Sequence, residues 1–284
     1  MAGNYWQSSH YQEWLLDRQD LIREDFAVLG EEGYQKIMIF YADLIQALGE
    51  ALGVKQQVVA TSIVYFKRFY VRNSLKCIDP LLLAPTCIFL ASKVEEYGVI
   101  SNHRLIQTCQ TVVKNKFGYA WNIPDFPYKI AHVLECEFYL LEMMDCCLIL
   151  YHPYRPLTQY VQDWRDKDVV LPVAWHVIND SYRTDIPLLY PPHQIAIACL
   201  HMACVITQQD TYKSWFAELN TDFDKILEIT RQMMNLYKLW KSFEPAREIP
   251  QLHAQMPKAV TSPPTGQSST QSATNNTNNA NKAK

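Results

Sequence analysis

Apolar residues recur along much of this chain at the three- and four-residue spacing that places them on one face of a helix. Glycine, proline and aspartate interrupt this pattern between segments. The spacing predicts two groups of five helices, at residues 31–52, 55–72, 79–98, 102–117 and 128–144, and at 154–164, 170–183, 191–207, 212–219 and 222–243. We therefore predict an all-α protein.

The stretch from Asp79 to Gly98 differs from the other segments because it is apolar on nearly every side. Asp79 can accept hydrogen bonds from the free backbone N–H groups of the first turn, and Pro80 suits the first helical position. No charged residue occurs between positions 81 and 91, so this helix has no stripe that could face solvent. We expect other helices to surround it at the centre of a core.

Charged residues appear only at the end of that stretch, as Lys93, Glu95 and Glu96. A lysine suits the negative end of a helix dipole, whereas two glutamates do not. Charges that oppose the helix dipole at the end of a buried helix indicate a functional site.

The second group of helices repeats the first at one constant offset along the chain. At this offset small or apolar residues coincide, namely Val58 with Val170, Ser62 with Ala174, Tyr70 with Tyr182, Pro80 with Pro192, Leu83 with Ile195, Ala84 with Ala196, Cys87 with Cys199 and Ala91 with Ala203. The period is far longer than the roughly 20–50 residues of a stacked-repeat protein, so each unit is predicted to be a whole helical domain. We assign residues 30–145 to the first domain and 146–250 to the second.

Residues 1–29 precede the first domain and are predicted to form an arm with an amphipathic helix. Its aromatic side chains either pack onto the arm's own domain or contact a partner. The residues concerned are Trp6, Tyr11 and Trp14. On the second alternative, deleting residues 1–29 is expected to weaken partner binding without unfolding the domains.

Residues 251–284 are predicted to be a disordered tail. Their composition shifts to Ser, Thr, Asn, Gln and Pro, and no large apolar residue follows Val260. Such a segment cannot bury enough apolar surface to offset the entropy of ordering.

The charge of the chain argues against several classes of partner. The net charge is −3 over 284 residues, so the basic face of a DNA-binding domain is missing and no direct nucleic-acid partner is predicted. Lys67 and Arg68 are interpreted as one solvated pair on an otherwise apolar helix. The N-terminus has no basic region followed by an apolar stretch, and prolines break the longest uncharged run, residues 186–209. We expect a soluble protein that is not secreted and has no membrane partner.

The chain offers little for metal binding or catalysis. Its eight cysteines include no C-x-x-C pair and are interpreted as reduced core thiols. The tightest metal-like cluster is Cys199, His201 and Cys204, but helical geometry directs Cys199 and His201 to different faces, so no metal is predicted. Phosphate-binding, serine-hydrolase and zinc-protease motifs are missing from the sequence. We expect a non-catalytic protein without a cofactor.

The central stretch ends in the string L-A-S-K-V-E-E at residues 90–96, and the strings at 134–141 and 151–157 accompany it. Together with the duplication, these motifs resemble the cyclin family and its paired five-helix cyclin boxes, and within that family the cyclins of the Mediator kinase module. The resemblance implies a regulatory subunit that binds and activates a cyclin-dependent kinase of that module. It also implies contacts with other Mediator subunits and regulation of RNA polymerase II transcription in the nucleus.

The resemblance further implies that the third and fifth helices of the first box hold the mobile C-helix of the kinase. Lys93 and Glu135 would be the polar anchors, because an ammonium and a carboxylate can bond the backbone of a docked helix. The rest of the implied kinase-binding set is Leu90, Val94 and Tyr139, with Glu95 and Glu96. The residues alone leave a second interpretation open, in which Lys93 and Glu135 form an internal ion pair between the two helices.

A rival interpretation keeps the fold but not the kinase. Tandem cyclin boxes also occur in a basal transcription factor of the B type, and a scaffold could carry them without a kinase. That factor has an N-terminal zinc ribbon and strongly basic boxes, and neither feature is present in this sequence.

Overall fold

The computed structural model describes residues 3–121, 125–209, 213–219 and 221–257, and all regular structure within these ranges is helical. The N-terminal arm contains α1 (Ser9–Gln12). The first repeat consists of α2 (Phe26–Leu52), α3 (Gln56–Arg72), α4 (Pro80–Val94), α5 (Asn102–Lys116) and α6 (Ile130–Met143). The second repeat consists of α7 (Tyr154–Tyr160), α8 (Lys167–Ser181), α9 (Ile186–Leu189), α10 (Pro192–Ile206), α11 (Lys213–Glu218) and α12 (Phe223–Ser242), and α13 (Pro245–Gln255) follows it. The all-α prediction is confirmed.

Helix α4 forms the centre of the first repeat, as predicted. The Asp79 Oδ1 atom accepts a hydrogen bond from the Leu81 N–H at 2.9 Å, and Pro80 occupies the first helical position. Helices α2, α3, α5 and α6 pack around α4. They bury Leu83, Ala84, Cys87 and Ala91 completely. Helix α10 has the same place in the second repeat, and its two ends are related to those of α4 by the offset of the sequence repeat.

Helix α2 begins earlier than predicted and is interrupted at Gly30. The backbone of Gly30 has φ 69° and ψ 163°, a conformation that a residue with a Cβ rarely adopts. The turn before the interruption is anchored by Asp25, whose carboxylate accepts hydrogen bonds from the Ser74 hydroxyl at 2.6 Å and the Leu75 N–H at 3.0 Å. The hydrophobic spacing from residue 31 therefore detected only the uninterrupted part of the helix.

The N-terminal arm contains less helix than predicted. Apart from the single turn of α1, it has short 3₁₀ turns at Tyr5–Gln7 and Arg18–Leu21. The arm is fixed to the second repeat by a backbone hydrogen bond of 2.8 Å from the Leu16 N–H to the Leu188 carbonyl. The sequence suggested a continuous amphipathic helix, whereas the arm consists of short turns tied down by this backbone hydrogen bond.

The interpretation of Lys67 and Arg68 as a solvated pair is wrong. Their exposed fractions are 3 % and 0 %. The Lys67 ammonium lies 3.5 Å from Asp185 Oδ1, and the Arg68 guanidinium donates to the Cys147 carbonyl at 3.2 Å. Both partners come from distant parts of the chain, so local sequence could not reveal them.

The predicted tail begins too early at residue 251, because α13 continues to Gln255. The His253 ring stacks on Trp121 at a centroid distance of 5.2 Å, and its Nδ1 atom lies 3.0 Å from the Ala120 carbonyl oxygen. These contacts with the first repeat hold the end of the helix. The remainder of the predicted tail, residues 258–284, lies outside the described residues.

The described helices and side chains also bear on membrane and metal binding. No helix in the described ranges is both long and apolar enough to cross a membrane. No group of three His, Cys, Asp or Glu side chains in those ranges converges in a way that could hold a metal ion. In the cluster noted above, Cys199 is buried and the His201 ring packs against Phe216 at 5.3 Å.

Candidate partner-binding site at the end of the central helix

The end of α4 is joined to α6 by an ion pair between Lys93 and Glu137. The Glu137 side chain is 11 % exposed and that of Lys93 is 34 % exposed, so the pair stands at the border between core and solvent. The Lys93 Nζ atom also lies 4.2 Å from the centroid of the Phe89 ring. These contacts hold a positive charge at a fixed position on the surface.

Glu135 is not the partner of Lys93. It is exposed on α6, and within the described part of the chain its side chain makes no hydrogen bond or ion pair. The internal ion pair between Lys93 and Glu135 is therefore not formed. The register of α6 explains the difference. Glu137 is adjacent to the buried Cys136 and lies one turn before the buried Leu140, so it stands beside the buried stripe of the helix.

The apolar positions of the implied slot divide between core and surface. Leu90 is 4 % exposed, whereas Val94 and Tyr139 are half-buried. The largest exposed apolar side chains of α6 were not predicted. They are Phe138, 74 % exposed, and Leu134, 37 % exposed, one helical turn apart. Their spacing of four residues on a helix that also carries a buried stripe is the signal that identifies a second apolar face.

Glu95 faces the interior of the molecule. Its Oε2 atom accepts a hydrogen bond from Gln57 at 2.6 Å, and its Oε1 atom accepts one from the Thr61 hydroxyl at 2.5 Å. The Thr61 hydroxyl lies 2.8 Å from His152 Nε2, and His152 Nδ1 lies 2.6 Å from the Tyr182 hydroxyl. The bonds run in one direction when Tyr182 donates to His152, His152 to Thr61, and Thr61 to Glu95. This chain of hydrogen bonds connects the two repeats.

The surroundings of Glu95 favour its charged form. Burial raises the pKa of this carboxyl, but the nearby His152 ring, 3.8 Å away, and the hydrogen bonds from Thr61 and Gln57 outweigh burial and lower the pKa below its usual value. The carboxylate is thus occupied by internal partners, which removes it from the implied kinase-binding surface. Glu96 is exposed and adopts φ 51°, where the chain turns away from α4.

Family models match both repeats. Residues 18–149 match the model described as "Cyclin, N-terminal domain", and residues 152–241 match the one described as "Cyclin C-terminal domain". This chain belongs to the cyclin family. Its repeats are cyclin boxes, and their central helices are α4 and α10.

Curated relatives extend the similarity over most of the chain. The chain is 62 % identical to Cyclin-C of Drosophila melanogaster over 261 residues, which cover 91 % of this cyclin and 97 % of that protein. It is 58 % identical to Cyclin-C of Rattus norvegicus over 258 residues, with 91 % of each chain covered. Cyclin-C of Caenorhabditis elegans is 33 % identical over 291 residues, or 93 % of this chain and 96 % of that protein.

Solved structures share the fold. A chain of the yeast TFIIK complex of Kin28, Ccl1 and Tfb3 aligns with a TM-score of 0.62 and 27 % identity, covering 82 % of this cyclin and 99 % of that chain. A chain of the CAK complex from Chaetomium thermophilum aligns with a TM-score of 0.67 and 18 % identity, covering 88 % and 87 %. At that lower identity the likeness concerns the fold alone.

The aromatic residues of the cyclin's arm have different environments. Trp14 is 1 % exposed, and its ring faces the guanidinium carbon atoms of Arg72 at 4.0 Å and Arg68 at 4.6 Å. It packs onto its own protein. Trp6 is 52 % exposed and Tyr11 37 % exposed, with ring centroids 5.0 Å apart. Of these three side chains, Trp6 and Tyr11 present aromatic surface to solvent and Trp14 does not.

His10 attaches the arm to the segment between the boxes. Its Nδ1 atom accepts a hydrogen bond from the Tyr151 N–H at 3.1 Å, and the side chain is buried. Burial lowers the pKa of His10 to about 3, and the nearby Arg68 and His152 act in the same direction. The imidazole is therefore neutral at physiological pH.

Proposed function

We propose that this cyclin is the regulatory subunit of a cyclin-dependent kinase of the Mediator kinase module, where it regulates RNA polymerase II transcription in the nucleus. Its similarity to proteins named Cyclin-C, at 62 % and 58 % identity over 91 % of the chain, supports this proposal. Other Mediator subunits would be further partners. The cyclin would contribute binding surface and no catalytic group of its own.

The kinase-binding surface would lie where α4 ends against α6. Phe138 and Leu134 supply apolar area that is accessible in the isolated chain, and Tyr139 adjoins them on the same helix. Large aromatic side chains supply much of the binding energy at protein interfaces. Lys93, held by Glu137, would donate hydrogen bonds to carbonyl groups at the end of a docked helix.

Activation would follow from selective binding. A cyclin that binds only the kinase conformation with the C-helix turned inward shifts the population toward that conformation. The inward C-helix places the glutamate that pairs with the ATP-positioning lysine of the kinase. The surface must therefore be preformed, which agrees with the fixed position of Lys93 between Glu137 and the Phe89 ring.

The observation that carries this proposal is the 74 % exposure of Phe138 beside the Lys93–Glu137 pair. The test is co-purification of the purified kinase subunit of the Mediator kinase module with the Phe138→Asp variant. The matched control is Val205→Asp, because Val205 is 66 % exposed and occupies in α10 the position that Lys93 occupies in α4.

We expect wild type and Val205→Asp to recover the kinase and its activity, and Phe138→Asp to recover neither while retaining its melting temperature. Equal recovery with both variants would remove Phe138 from the interface. Failure of the wild-type cyclin to bind the kinase would restore the interpretation as a transcription factor or scaffold that acts without one.

A further inference from the structure

A buried chain of polar side chains runs from the second box to the end of α4. Its members are the Tyr182 hydroxyl, the His152 ring, the Thr61 hydroxyl and the Glu95 carboxylate, separated in this order by 2.6, 2.8 and 2.5 Å. Thr61 is completely buried, Tyr182 is 1 % exposed and His152 is 9 % exposed. A buried polar network is stable only when its members are paired, so a change at one member affects the others.

The fold of a box does not require the polar pair of Thr61 and Glu95. At the offset that superposes the two boxes, Val173 and Thr207 occupy the corresponding positions of the second box. The Thr207 hydroxyl donates to a carbonyl of its own helix at 2.8 Å, and a valine side chain forms no hydrogen bond. The second box nevertheless contains the corresponding helices, α8 and α10. The hydroxyl–carboxylate pair therefore distinguishes the box that carries the candidate site.

Tyr182 also differs from its counterpart in the first box. That counterpart is Tyr70, whose hydroxyl donates to the Ile78 carbonyl at 2.6 Å within the same box. The Tyr182 hydroxyl instead contacts His152, which belongs to the segment between the boxes. Equivalent tyrosines thus make a local bond in one box and a bond that leaves the box in the other.

Glu95 is the residue at which α4 ends, and its side chain anchors that end to α3. Its carboxylate accepts hydrogen bonds from Gln57 and Thr61. It opposes the dipole of its own helix but contacts Gln57 in the first turn of α3, where a helix dipole favours negative charge. Lys93 precedes this anchor by two residues, Glu96 follows it directly, and both are exposed. The anchor therefore fixes the backbone from which the charged side chains of the candidate site project.

The two ends of the chain determine the direction of its hydrogen bonds. Burial raises the pKa of the Tyr182 hydroxyl well above its ordinary value, so this group keeps its proton and can donate it. The Glu95 carboxylate is charged and can only accept. Thr61 has one proton, and it donates this proton to Glu95 only if His152 Nε2 carries the ring proton. His152 Nδ1 must then be the acceptor for Tyr182.

Loss of the Tyr182 hydroxyl would allow the chain to reverse. Without that donor, the ring proton of His152 can move to Nδ1, and Nε2 becomes an acceptor. The Thr61 hydroxyl then donates to Nε2, which lies 2.8 Å away, in place of Glu95. Glu95 would lose a hydrogen bond although none of its own neighbours had been replaced.

We propose that Tyr182, His152 and Thr61 are positioning residues, through which the second box holds the kinase-binding end of α4 in place. This role rests on the proposed function, because it concerns the same binding surface. It gives the second box an effect on kinase affinity that requires no contact between that box and the kinase.

The direction of the chain is tested on the free full-length cyclin by ¹⁵N NMR of the His152 ring. We expect a pyridine-type Nδ1 and a pyrrole-type Nε2 in wild type, and a shift of pyrrole-type character to Nδ1 in Tyr182→Phe. Tyr70→Phe removes the counterpart hydroxyl and is the matched control, with wild-type ring signals. A protonated Nδ1 in wild type, or unchanged ring signals in Tyr182→Phe, would overturn the assignment.

The positioning role is tested by the dissociation constant of each variant with the purified kinase subunit of the Mediator kinase module. We expect Tyr182→Phe and Thr61→Val each to weaken binding by about threefold or more, the order of coupling within one network. Tyr182→Phe should cause no further loss in the Thr61→Val background, because the chain is already broken there. Tyr70→Phe should bind as wild type does, although it also loses a buried tyrosine hydroxyl.

The possible failures can be told apart. An equal loss of affinity in Tyr70→Phe would assign the effect to general stability, and additive losses in the double variant would mean that the chain does not act as a unit. Either result, or equal affinity of wild type and Tyr182→Phe, would overturn the positioning role alone. A wild-type cyclin that does not bind the kinase would instead reject the proposed function.

Discussion

The ammonium group of Lys93 contacts the carboxylate of Glu137 and not that of Glu135, which lies two residues earlier on the same helix. Glu137 stands beside the buried stripe of α6, and Glu135 stands on the solvent-facing side. The two carboxylates therefore differ in function. Glu137 positions Lys93, whereas Glu135 is available only for a direct contact with a partner.

Replacing Glu137 with Gln is expected to weaken kinase binding by about tenfold or more, because hydrogen bonds to charged groups contribute about 1.5–3 kcal/mol. Lys93 would lose the carboxylate that fixes its position. The measurement is the dissociation constant of the purified cyclin–kinase complex by calorimetry, with Glu135→Gln as the comparison. Equal losses in the two variants would contradict the assignment of Glu137 as the positioning residue.

Trp14→Ala is expected to destabilise the cyclin by about 3–5 kcal/mol, the usual cost of truncating a buried aromatic side chain. The variant also removes the ring that faces Arg68 and Arg72. The free energy of unfolding is measured by urea denaturation. Trp6→Ala is the matched control, and since Trp6 is 52 % exposed its cost should stay below about 1 kcal/mol. A small effect of Trp14→Ala would show that the arm does not belong to the core.

The contrast between the buried Trp14 and the exposed Trp6 also changes the expected result of removing the arm. The sequence pattern placed Trp6, Tyr11 and Trp14 in one group, and the boxes were expected to survive deletion of residues 1–29. Because Trp14 is buried, deletion exposes the surface that it covers on α3. The proposed partner contact would fall to Trp6 and Tyr11, and substitution of these two residues tests it without the cost of deletion.

The helices of the boxes could be predicted because their signals are local. The start of α4 depends on Asp79 and Pro80, and both act within one turn of the helix. Helix α13 was not predicted, and the contact that holds its end is not local: His253 packs on Trp121, which belongs to the first box. Composition alone therefore placed the helical residues 251–255 in the tail.

The sequence could suggest candidate residues at the end of α4 but not their contacts. Lys93 stands at the surface where the sequence suggested, but the choice between Glu135 and Glu137 depends on the register of α6 against α4. Glu95 was assigned to the kinase because it is charged, yet its partner Thr61 lies on α3 and its partner His152 lies in the segment between the boxes. Charge at the end of an apolar helix suggested a candidate region and could not distinguish its outer face, with Lys93, from its inner face, with Glu95.

Tyr182→Phe is expected to destabilise the protein by about 1–3 kcal/mol, because it leaves the buried Nδ1 atom of His152 without a donor. A double-mutant cycle with Thr61→Val tests whether the hydrogen bonds act as one chain across the two boxes. Residues in one network show coupling above about 0.5 kcal/mol. Strictly additive costs would mean that Thr61 and Tyr182 stabilise their boxes independently.

His10 is expected to make the stability of this cyclin depend on pH. Its folded-state pKa of about 3 lies below the ordinary value of 6.5, so the unfolded chain binds a proton between these values while the folded protein does not. The contribution of His10 is therefore fully present above pH 6.5 and is lost as the pH falls, by about 1.4 kcal/mol per pH unit. The measurement compares urea unfolding of wild type and His10→Asn between about pH 7 and about pH 4.5, since asparagine keeps an acceptor for the Tyr151 N–H. We expect the stability of wild type relative to His10→Asn to fall with that slope as the pH falls, so that the difference shrinks or reverses. The control is His103→Asn, which removes an exposed histidine. A stability difference between wild type and His10→Asn that stays constant with pH would show that His10 does not remain neutral in the folded protein.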